Sequence, residues 1–144
     1  MNIFASLSEF VFSFLMNTRA EDYKHFQNGP AYGGGMEYLF IALLLVPMAF
    51  CAVYYLGVAQ KLANGTKKNY LVVFLIGFLT LWVLNFVIMA TMSGLRNPFG
   101  SLNMWKINLI EIIYYPVLYQ VYSWFLKSGS KVRNIDLISC LSNK

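Results

Sequence analysis

The stretch YLFIALLLVPMAFCAVYYLGVAQ, residues 38–60, carries no charged side chain, and its reading decides the fold. A helix rises about 1.5 Å per residue, so roughly 20 apolar residues cross a hydrocarbon core of about 30 Å. Working outward, NYLVVFLIGFLTLWVLNFVIMATMSGL at 69–95 is also uncharged, and INLIEIIYYPVLYQVYSWFL at 107–126 is interrupted only by Glu111. The chain therefore reads as all-α: a polytopic membrane helical bundle with three transmembrane helices, at 37–60, 70–92 and 107–126. The spans and their short connections use most of the 144 residues, so a single membrane domain is expected.

Composition agrees with this. Hydrophobic residues make up 58% of the chain, and aromatics crowd the span ends at Tyr38, Tyr54, Tyr55, Tyr70, Trp105, Tyr122 and Trp124. Such rings favour the headgroup level, where an apolar body and a polar tip are both satisfied. The net charge of +5 would suggest nucleic acid in a soluble domain. In a membrane chain it reports topology and attraction to anionic lipid, so the expected partner is the bilayer and no nucleic acid. The only histidine, His25, leaves no bis-histidine haem and no histidine-rich metal cluster within the chain. With no nucleophile elbow or paired-carboxylate motif either, the chain reads as a non-enzyme without a cofactor. Cys51 and Cys140 give no disulfide framework.

Outside the spans, residues 3–16 place Phe4, Leu7, Phe10, Val11 and Phe14 at helical spacing, with Ser6, Ser8, Glu9 and Ser13 on the other side. This stretch is short for a span, and predicts an amphipathic helix anchored in the interface. Residues 17–36 are the most polar and form an external loop with Asn28-Gly29-Pro30 and a glycine triplet at 33–35. Residues 127–144 form a basic tail. Seven basic residues (Lys61, Lys67, Lys68, Lys127, Lys131, Arg133, Lys144) face four (Arg19, Lys24, Arg96, Lys106) on the opposite side. The positive-inside rule then puts the N-terminus outside and the C-terminus in the cytoplasm, with the plasma or inner membrane as the location.

Inside the spans, Pro47 removes a backbone donor and crowds the carbonyl of Leu43, which predicts a kink. Asn85 is expected to face another helix, because an unpaired amide in lipid is costly. In the third span Asn108, Glu111, Tyr115, Tyr119 and Tyr122 recur at intervals of three and four residues. They occupy an arc of about 80°. Such a stripe has no reason to face lipid, and Glu111 is its centre, since an intramembrane carboxylate often marks an ion or proton path.

Two functions fit. The first is a homo-oligomeric pore or channel whose path or subunit contacts are lined by this stripe. The alternative is a non-catalytic accessory subunit of a larger membrane complex, of respiratory or secretion type. Three spans, an outside N-terminus and a basic inner tail are similar, in topology alone, to the layout of three-span phage holins. That resemblance implies oligomerisation into a membrane lesion.

Overall fold

The computed structural model describes residues 3–12, 14, 16, 19, 35–61, 65–91 and 97–142. These contain helices and turns and no strand. The helices are α1 (Ile3–Phe12), α2 (Gly35–Ala52), α3 (Lys67–Thr91), α4 (Leu102–Leu126) and α5 (Leu137–Leu141). Most of the expected external loop at 17–36 lies outside the described residues.

Two helical stretches, Glu37–Gln60 and Lys67–Thr91, are long and apolar enough to cross a membrane. The third expected span does not join them. Helix α4 is as long as α3, at 25 residues. However, Lys106, Glu111, the amides Asn103, Asn108 and Gln120, and a run of tyrosines lower its mean hydropathy. It also starts earlier than the expected boundary of 107. Ser101 caps its N-terminus by accepting a hydrogen bond from the Met104 amide at 3.3 Å, which sets the start ahead of the apolar run.

Pro47 is buried, and α-helix continues past it to Ala52. Regular helix gives way later, at Val53–Gly57, to a wider π-helical turn that carries Tyr54 and Tyr55 inward. A second proline, Pro116, sits inside α4 without ending it.

The contacts divide the chain into two units. The first comprises Met1–Leu43 and Leu81–Ile113. Its core holds Phe12, Leu39, Leu43, Leu81, Met89, Met104, Ile107 and Ile110. Helix α1 buries Ser8 and Phe12 and turns Ile3, Phe4, Leu7 and Phe10 outward, with Phe10 80% exposed. Val11, expected among the outward anchors, is half-buried, and Phe14 lies just beyond the helix, exposed.

The second unit comprises Leu44–Thr80 and Tyr114–Lys144. Its core is built from rings: Tyr54, Tyr55, Tyr70, Tyr115 and Tyr119 are all fully buried. Edge-on pairs link Tyr54 to Tyr55 and Tyr70, and Tyr119 to Tyr70 and Phe74, with centroids 5.0–5.4 Å apart. Each such pair is worth about 0.5–1.5 kcal/mol beyond the area it buries. Gly77 makes the close approach possible. A β-carbon there would stand 2.8 Å from Phe50 Cγ and would also meet the Tyr115 hydroxyl.

The exposed side of α3 is largely aliphatic. Along α3 the buried line is Tyr70, Gly77, Leu81, Asn85 and Met89, and the exposed line is Val72, Leu75, Ile76, Leu79, Val83 and Val87. Amides, a carboxyl and hydroxyls lie inside beside apolar side chains, and large apolar side chains also face outward. Only 22% of the most apolar stretch of α3 is buried, whereas the core helix of a soluble protein is mostly buried.

Candidate functional site

Asn85, Asn108 and Glu111 meet in the first unit, each at most 1% exposed. Helical spacing explains why α4 can present two of them together: Asn108 and Glu111 are three residues apart and share a face. Asn85 on α3 bridges both. Its Nδ2 donates to Glu111 Oε2 at 2.6 Å and to Asn108 Oδ1 at 3.1 Å. The cluster is not closed, since Glu111 Oε1, Asn85 Oδ1 and Asn108 Nδ2 are buried without a hydrogen-bond partner. No basic side chain pairs with Glu111 among the described residues.

The tyrosine part of the stripe lies in the second unit. Tyr115 donates to the Phe74 carbonyl at 3.0 Å, while the Tyr119 hydroxyl is buried without a partner. Beyond Tyr119 the buried line continues to Ser123, and Tyr122 is half-buried. The Ser123 hydroxyl donates to the Tyr119 carbonyl at 2.8 Å. Its lone pairs are then free to accept from the Tyr70 hydroxyl at 2.8 Å and the Cys51 thiol at 3.4 Å. The four-residue step 111, 115, 119 points to Ser123 rather than to the expected Tyr122.

The basic tail folds onto the same unit, which its composition did not suggest. Asp136 caps α5 by accepting from the Ser139 amide at 2.8 Å, and the Ser139 hydroxyl stands 2.9 Å from the Asp136 amide. Lys127 Nζ pairs with Asp136 Oδ2 at 2.8 Å. Tyr55 donates its hydroxyl to the Ile135 carbonyl, Gln120 Oε1 accepts from the Ile138 amide at 3.2 Å, and Lys67 donates to the Ser139 carbonyl at 2.6 Å. The Asp136-x-x-Ser139 capping pattern was the available signal for this helix.

Among the described residues no group of three or more His, Cys, Asp and Glu side chains is placed to hold a metal. Comparison with known protein families, with characterised proteins and with solved structures finds no match to this chain.

Proposed function

We propose that this chain is a small, non-catalytic integral membrane protein that works as a subunit of a larger membrane assembly. The observation that carries this reading is the burial of Asn108, Glu111, Tyr115 and Tyr119 within a single chain. A polar stripe buried by internal packing is not presented to a central path between subunits. It leaves an aliphatic outer surface suited to lipid or to other apolar helices. In this reading α4 enters the membrane with α2 and α3, its amides and carboxyl shielded by them. The balance of basic residues supports an outside N-terminus and a cytoplasmic C-terminus in a plasma or inner membrane. The exposed Phe4, Leu7 and Phe10 support an interfacial seat for α1.

The homo-oligomeric pore is the second reading, and one observation favours it. Three unpartnered polar atoms around Glu111 are what a hydrated or ion-holding interior would present. Native mass measurement of the detergent-extracted protein separates the two. A heteromeric particle is the expected result; a discrete homo-oligomer that conducts ions after reconstitution would replace the subunit reading with the pore.

A further inference from the structure

We infer that Asn85, Asn108 and Glu111 form a binding site for a monovalent alkali cation of the sodium class. Three features of the cluster lead there. First, Glu111 is 0% exposed and, among the described residues, has no basic partner. A carboxylate in such surroundings calls for a counter-charge. Second, the unpartnered Glu111 Oε1 and Asn85 Oδ1 are oxygens, as is Asn108 Oδ1, so the donor set is all-oxygen and suits a hard cation.

Third, the charge fits one positive charge and no more. With a single carboxylate, a divalent ion would leave a net positive charge in a buried interior, since all three head groups are 0% exposed. The bond from Asn85 Nδ2 to both partners holds the three head groups within one hydrogen-bond shell, so the ligands come from two helices already fixed against each other. Asn108 Nδ2, the remaining unpartnered atom, is a donor and would hydrogen-bond a water carried by the ion. The site does not depend on whether the chain works in an assembly or alone.

The test uses the full chain in detergent at fixed pH and ionic strength, with sodium chloride exchanged for choline chloride. Sodium should raise the melting temperature by about 3–5 °C, as expected for a ligand that binds only the folded state at several times its Kd. The same exchange should leave Glu111→Gln unmoved. Infrared difference spectra of the wild-type protein, sodium minus choline, should show a change in a carboxyl band, and these decide the matter if the variant does not fold. A melting temperature and a carboxyl spectrum both indifferent to sodium would mean that Glu111 holds a proton instead, and would overturn the site. An equal rise in Glu111→Gln would place the effect of sodium elsewhere and overturn it too.

Discussion

Asn85 Nδ2 lies 2.6 Å from Glu111 Oε2, a hydrogen bond between α3 and α4 that is fully buried on both sides. Replacing Asn85 with Leu strands the carboxyl and the Asn108 amide together. The expected loss is about 1–3 kcal/mol, toward the lower end if the detergent-unfolded state also finds partners. Asn85→Leu combined with Glu111→Leu should cost less than the sum of the single changes, because removing both ends leaves only the Asn108 amide stranded and no carboxyl. Thermal unfolding of the four proteins of this cycle measures the coupling; strict additivity would show that the bond contributes nothing.

Gly77 is the position where the ring core leaves no room. Gly77→Leu forces Phe50 and Tyr115 apart and endangers the bond from the Tyr115 hydroxyl to the Phe74 carbonyl. A loss of about 1–3 kcal/mol is expected, by over-packing. Leu79→Ala, on the exposed face of the same helix, should change stability little when measured in the same detergent.

The docked tail should respond to acid. Burial tends to raise the Asp136 carboxyl, but the hydrogen bond and charge of Lys127 and the Ser139 amide outweigh it and hold the group below the usual carboxylate range. Such a carboxyl takes up its proton more readily when the tail is undocked. Docking is therefore stabilised above the unfolded value of about 4 and is lost as pH falls through the folded one. Asp136→Asn should remove this dependence. Protease cleavage of residues 130–142 as a function of pH checks both, and a pH-independent pattern in the wild-type protein would count against the ion pair.

The two thiols should separate cleanly. Cys51 is buried beside Ser123, and Cys140 is half-buried, its thiol pushed up by burial despite the nearby Lys67. In native protein a maleimide should modify Cys140 alone, more slowly than a free thiol, and faster in Asp136→Asn. With a membrane-impermeant reagent, modification in intact cells should fail and in inverted vesicles succeed. Labelling from outside would reverse the proposed orientation.

For α1, Phe10→Ser with Phe14→Ser removes two exposed rings worth about 1.5–3 kcal/mol each at full burial in lipid. The segment should become open to protease while the protein stays in the membrane fraction. Unchanged protection would mean that Ser8 and Phe12, rather than the outer rings, hold the helix in place.

Charge-free runs made the helical class readable from the chain, because helix length and apolar content are local properties. The four-residue recurrence of Glu111, Tyr115 and Tyr119 likewise fixed a common face before any packing was known. The number of spans is not a local property of the same kind. A buried polar face lets α4 sit among other helices while lowering the mean hydropathy by which a span is recognised. The order of the tail comes from partners distant in sequence, such as Tyr55 for Ile135 and Gln120 for Ile138, which its local composition does not show.

What the sequence determined by itself was periodicity: which residues can form helices and which of them share a side. What the tertiary structure decided was whom each side meets. Asn85 joins Glu111 across 26 residues of sequence, and Ser123 gathers Tyr70 and Cys51 from two other segments. A helical repeat sets the direction of a side chain about its own axis and says nothing of the neighbouring helix. Packing supplies that neighbour, through the room Gly77 leaves and the requirement that buried polar atoms find partners.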